Sequence, residues 1–89
     1  MPTVRTHLFP NSLSFIGYLH PGKRIDLFQI PGSIDWFYGG PSLPPYWQGS
    51  ISGGGTFWGF PWDPYKVLYV RSGGDMDIEV FQGWWWERP

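Results

Sequence analysis

Turn-forming residues interrupt this chain roughly every 8–12 residues, and no other feature constrains its fold as strongly. The breaks fall at Pro10-Asn11, Pro21-Gly22, Pro31-Gly32, Gly39-Gly40-Pro41, Gly53-Gly54-Gly55, Pro61 to Pro64 and Gly73-Gly74. Thirteen Gly and ten Pro make up about a quarter of the 89 residues, and Ala does not occur at all. Gly and Pro disfavour a helix interior and Ala favours it most, so the chain lacks helix-building material. No interval leaves room for a helix of more than about two turns. Disordered chains share this Gly and Pro content but lack aromatic and β-branched residues, which are abundant here. The expectation is an all-β fold: a small antiparallel barrel or compact sandwich of six or seven short strands in a single domain, residues 1–89.

Two hairpins are predicted. Val67 to Arg71 is rich in strand formers, and Met76-Asp77-Ile78-Glu79-Val80 alternates apolar with acidic. A turn at Ser72 to Asp75 would set Val70 opposite Ile78 and Leu68 opposite Val80 on the core face. Arg71 would then face Asp77, and Tyr69 would face Glu79, on the wet face. The second hairpin spans Trp47 to Phe60 around Gly53-Gly54-Gly55, with Ile51 facing Phe57 and Ser52 facing Thr56. Further strands are expected at Leu13 to Leu19, Arg24 to Ile30 and Ser33 to Tyr38. Gly39 to Pro45 reads as a rigid loop with polyproline character. Its P-x-x-P spacing has no flanking Arg to make it a ligand for a proline-binding domain. The expected core is Leu27, Ile51, Phe57, Leu68, Val70, Ile78 and Val80.

The pattern aromatic-x-Gly-aromatic occurs three times: Phe15-Ile16-Gly17-Tyr18, Phe57-Trp58-Gly59-Phe60 and Phe81-Gln82-Gly83-Trp84. Glycine within a strand marks a bulge or a close backbone approach. The spacing of the three is irregular, so they do not constitute a sequence repeat.

Seven Trp, seven Phe and five Tyr stand in this short chain. A domain of this size buries on the order of 9,000–10,000 Å² on folding. Nineteen rings at ~200 Å² each would claim about 3,800 Å² of that, in competition with the aliphatic side chains. Some rings are therefore expected at the surface, where aromatic clusters mark contact sites. The segments expected to carry partner contacts are Trp62 and Tyr65, between Pro61 and the strand that follows, and Trp84, Trp85 and Trp86 near the C-terminus. In an extended segment Trp84 and Trp86 share one face and Trp85 takes the other.

Other chemistries find less support. There is no Cys, which excludes disulfides and thiolate metal sites, and no cofactor is expected. Six basic against seven acidic residues argue against a nucleic-acid role, although rings for stacking single-stranded bases are present. No run reaches the ~18 apolar residues of a membrane helix. No targeting signal is evident, so the cytoplasm is the default expectation. His7 and His20 are the only histidines, and a triad of His20, Ser12 and Asp26 has no motif behind it. The Pro2 amine as a nucleophile and Asp75, Asp77 and Glu79 as a calcium site are equally unsupported, and no catalytic residue or metal ligand is assigned.

The expected function is a non-enzymatic interaction or structural module whose exposed rings pack on copies of itself or on a protein partner. The alternative is a small glycan-binding module. Its rings would be Trp36, Trp47 and Trp62, and its hydroxyl partners Asp35, Gln48 and Asp63.

Overall fold

The computed structural model describes residues 3–89; Pro2 lies outside them. Over the described residues the chain forms β1 (Val4–Leu8), β2 (Ser14–Leu19), β3 (Lys23–Gly40), β4 (Leu43–Trp58), β5 (Lys66–Ser72) and β6 (Met76–Trp84). They make one curled, half-barrel antiparallel sheet. The all-β expectation holds, with one difference in kind. Two of the strands are long: β3 has 18 residues and β4 has 16.

β3 organises everything else. β4 follows one of its edges from Arg24↔Trp58 to Gly40↔Leu43. The other edge is shared, with β6 on Lys23 to Phe28 and β5 on Ile34 to Gly39. β1 then adds to β6, and β2 adds to β5. The long strands survive Pro31-Gly32 because the sheet bends there instead of ending. Register shifts at Phe28/Ile30 and Ile30/Ser33 absorb the bend, and Gln29 takes a left-handed φ of 55°. Extra residues of this kind kink a strand and raise its local twist.

Both predicted hairpins are corrected by this arrangement. β5 and β6 do not pair with each other. They run in the same direction, end to end along β3, and each is a central strand with neighbours on both edges. Ser72, buried and held by the Asn11 N–H on its carbonyl (2.8 Å), carries the chain from one to the other without reversal. The charged residues find different partners: Arg71 opposes Asp35, Asp77 opposes His7, and Glu79 opposes Arg5. Gly53-Gly54-Gly55 is not a turn. It lies within β4, opposite Ile30, Phe28 and Leu27, so Ile51 pairs with Ile34 and Ser52 with Ser33. The reversal between β3 and β4 falls instead at Pro41-Ser42, inside the segment read as a loop.

The curl encloses one core of Leu8, Ile16, Leu19, Ile25, Leu27, Ile30, Ile34, Phe57, Leu68, Val70, Ile78 and Val80. Six of the seven expected core residues are in it. Ile51 packs against it half-buried, because β4 is an edge strand. Among the described residues no helix is long and apolar enough to cross a membrane.

Candidate interaction surface

The convex face of the β4-β3-β5-β2 half carries a row of rings that crosses all four strands. Trp47 pairs with Phe37, Phe37 with Tyr69, and Tyr69 with Phe15. Direct cross-strand partners share a face, so the four rings line up on one side. Tyr18 joins them through a defect. Residues three apart on a regular strand point to opposite faces. The register shift between Phe15 and Gly17 turns Tyr18 to the side of Phe15, and their rings meet edge to face at 5.3 Å. Phe15 meets Tyr69 in the same geometry at 5.9 Å, and Tyr18 stacks on His20 at 5.6 Å.

Phe15, Tyr18 and Tyr69 of this row, with His20, Tyr65 and Val67, line a groove of about 420 Å³ that has Gly40 and Pro41 at one end. Tyr18 is 56% exposed and Tyr65 65%. The lining contains no carboxylate, no carboxamide and no Lys or Arg. Its polar atoms are three phenol hydroxyls, the His20 ring and backbone. His20 Nδ1 lies 3.4 Å from the Pro64 carbonyl, which ties the Pro-bounded connection to the rim. A smaller hollow of about 230 Å³ lies on the other side of the Tyr18–His20 stack. Lys23, Arg24 and the Gln82 amide line it.

The residues expected to carry partner contacts are placed in three separate positions. Tyr65 is in the groove. Trp62, 78% exposed, lies flat on Phe60 at 4.7 Å between ring centroids. Phe60 in turn covers Lys66, whose ammonium sits 4.8 Å from that ring and 4.4 Å from Tyr38. Burial pushes the Lys66 ammonium below the usual lysine range, and burial also raises Tyr38. In this corner the exposed Trp62 is stacked on Phe60 over the buried Lys66.

Trp84, Trp85 and Trp86 form a third cluster. The chain turns at Trp85, whose N–H bonds the Gly22 carbonyl, while Glu87 accepts from the Trp84 N–H at 2.7 Å. Trp84 and Trp86 stack at 5.4 Å with planes 2° apart, and Trp85 meets Trp86 edge-on. They share a face as expected, through a turn rather than an extended segment. Lys23 caps the stack, 3.9 Å above Trp84. Trp85 and Trp86 remain 57% and 61% exposed.

Of the residues of the glycan alternative, Asp35 and Trp47 meet through a hydrogen bond, and the six do not form one site. Trp36 turns inward and packs edge-on against Tyr38 and Phe57. Asp35 is on the outer face, where Ser50 (2.6 Å) and Trp47 (3.3 Å) donate to it and Arg71 stands at 3.5 Å. The Ser50 and Trp47 hydrogen bonds hold its carboxyl below the usual carboxylate range. Gln48 is the extra residue of a bulge beside Trp47. Trp62 and Asp63 belong to the corner around Phe60. The triad residues are likewise dispersed: Asp26 is engaged by Thr56 and Arg24, and His20 by Tyr18 and Pro64. Asp75 and Asp77 bind His7, and Glu79 binds Arg5 and Thr3.

Sequence reasoning missed Phe15, Tyr18 and Tyr69. The signal was present in Phe15-Ile16-Gly17-Tyr18, because a bulge at the glycine is what puts the two flanking rings on one face. No protein-family model, curated protein or solved structure matches this chain.

Proposed function

We propose that this protein is a non-enzymatic interaction module that grips an extended, proline-rich segment of a protein partner in the groove of Phe15, Tyr18, Tyr65 and Tyr69. The observation that carries this reading is the lining itself: rings and phenol hydroxyls, with no carboxylate or carboxamide among them. A sugar ligand presents many hydroxyls and needs acceptors such as Asp or Asn beside the rings. A polyproline helix presents pyrrolidine faces and unsatisfied carbonyls, because it has no internal hydrogen bonds. Rings receive the first and phenol O–H groups donate to the second. A preformed extended ligand also pays little ordering entropy on docking.

Selection of a random displayed-peptide library on the immobilised protein tests the proposal. Proline-rich peptides are expected to be enriched, and replacing Tyr18 and Tyr65 by Ser is expected to abolish their retention. Both rings are surface-exposed, so the double variant keeps its fold. Enrichment without proline, or retention that survives the double change, contradicts the reading.

A further inference from the structure

Among the described residues the outer edge of β4 is the longest unpaired strand edge. β4 pairs with β3 alone, and among the described residues no strand covers its other side. Edge strands in folded proteins are usually kept short or are blunted by charged side chains, because their free N–H and C=O groups template pairing with another chain. Here the edge runs for 16 residues, Leu43 to Trp58, without one Asp, Glu, Lys or Arg. Pro44 and Pro45 blunt only its first end.

We infer that two copies of this chain pair along β4, antiparallel, about a twofold axis at Ile51. The residue sizes along the strand select this occupant and this register. Tyr46 and Trp47, both at least half exposed, occupy one half of β4, and Gly53, Gly54 and Gly55 occupy the other. Pairing with β3 fixes the faces. Gly49, Ile51, Gly53 and Gly55 oppose the inward-facing Trp36, Ile34, Ile30 and Leu27, whereas Ser50, Ser52 and Gly54 point outward. Gln48 is a bulge, so Trp47 also points outward and Tyr46 inward.

With the axis at Ile51, Ser50 of one copy lies opposite Ser52 of the other, and Gly49 opposite Gly53. The bulge at Gln48 then brings Trp47 opposite Gly54 and Tyr46 opposite Gly55. Every pair matches in face, and both large rings lie over glycines, an arrangement that shields otherwise weak strand positions. Moving the axis by one residue sets Tyr46 against Phe57, or moves Trp47 off glycine onto Ser52. The axis stands normal to the sheet at its bend, so both copies curve to the same side and one continuous sheet results. The pairing is isologous, and the uncharged edge brings no like charges together. It leaves the Phe15–Tyr65 groove open, so either proposal can fail without the other.

Sedimentation equilibrium of the full chain and two double variants tests the register. Wild type is expected to be a dimer at micromolar concentration. Ser50→Lys with Ser52→Lys sets like charges directly opposite across both pairs and is expected to weaken the dimer by at least about tenfold. Ser50→Lys with Ser52→Asp sets opposite charges there and is expected to keep the dimer within about threefold of wild type. The second variant carries the same Ser50 change, so a loss confined to the first is not a folding defect. A wild-type monomer at 100 μM, equal dimerisation of both variants, or equal loss in both would overturn the inference.

Discussion

Gln82 reaches across to β2 and donates its side-chain amide to the Ile16 carbonyl at 2.9 Å, in the space a Cβ on Gly17 would need. That Cβ would stand 2.5 Å from Gln82 Oε1. The bulge frees the Ile16 carbonyl, the missing side chain admits Gln82, and the bond fastens β6 to the otherwise open edge of β2. Gly17→Ala is therefore expected to cost about 1–3 kcal/mol by overpacking and loss of this bond. A double-mutant cycle with Gln82→Ala checks the cause by urea denaturation. If Gln82 is what the methyl displaces, Gly17→Ala costs much less in the Gln82→Ala background. Additive effects contradict the linkage.

Gly59 is expected to tolerate substitution less than Gly17. Its Cβ would overlap the His20 carbonyl group and lie 2.6 Å from the Leu19 oxygen. Backbone cannot swing aside as a Gln side chain can. Gly59→Ala is expected to cost about 3 kcal/mol or more. Gly73→Ala, where a Cβ meets nothing within 4 Å, should stay within about 0.5 kcal/mol. Thermal melts of the two variants provide the comparison.

His7 gives stability a defined pH dependence. Its Nδ1 lies 2.7 Å from Asp77 and its Nε2 3.1 Å from Asp75, and only the imidazolium can donate from both nitrogens. The Asp77 bond, then the Asp75 bond, raise its pKa above 6.5. A raised folded pKa contributes stability in full below the unfolded value. That contribution is lost as pH rises through the folded value. The urea midpoint should therefore fall as pH climbs from about 6.5 through the raised His7 pKa, and His7→Gln should remove that step. An unchanged profile in His7→Gln would place the titration elsewhere.

Arg24 holds the tryptophan turn to the sheet. Its guanidinium sits between Trp58 and Phe81, 5.9 Å and 5.4 Å from the ring centroids, and Nη1 donates to the Trp85 carbonyl at 3.0 Å. Nε stands 3.1 Å from Asp26 but out of line, so that contact is ionic and makes no hydrogen bond. Lys can reproduce the charge but not the planar stacking with simultaneous donation. Arg24→Lys is expected to cost about 1–2 kcal/mol and to raise acrylamide quenching of tryptophan fluorescence as the turn loosens. Unchanged quenching would mean that Lys23 and Glu87 suffice to hold the turn.

The core face of β5 and β6 was legible in the sequence, and the partner of each strand was not. Period-two alternation put Leu68, Val70, Ile78 and Val80 on the core side, where they are. The same alternation fits a hairpin and two strands laid end to end along a third, and nothing local distinguishes these. Gly53-Gly54-Gly55 misled for a related reason, since three glycines suit a turn or an extended edge equally well. β1 escaped notice because its Val4-Arg5-Thr6-His7-Leu8 sequence has almost no apolar pattern. The surplus of rings did foretell exposed aromatic residues, yet Tyr65 alone of the expected contact residues lies in the groove. Phe15, Tyr18 and Tyr69 converge only when β2 pairs with β5.

The central claim is that the groove of Phe15, Tyr18, Tyr65 and Tyr69 receives a proline-rich chain, and an ¹⁵N–¹H correlation titration with octaproline tests it most directly. Saturable shifts are expected at the amides of Phe15, Tyr18, Gly40, Val67 and Tyr69, together with little change at Trp84 to Trp86. No saturable shift, or shifts centred on the tryptophan turn, would contradict it.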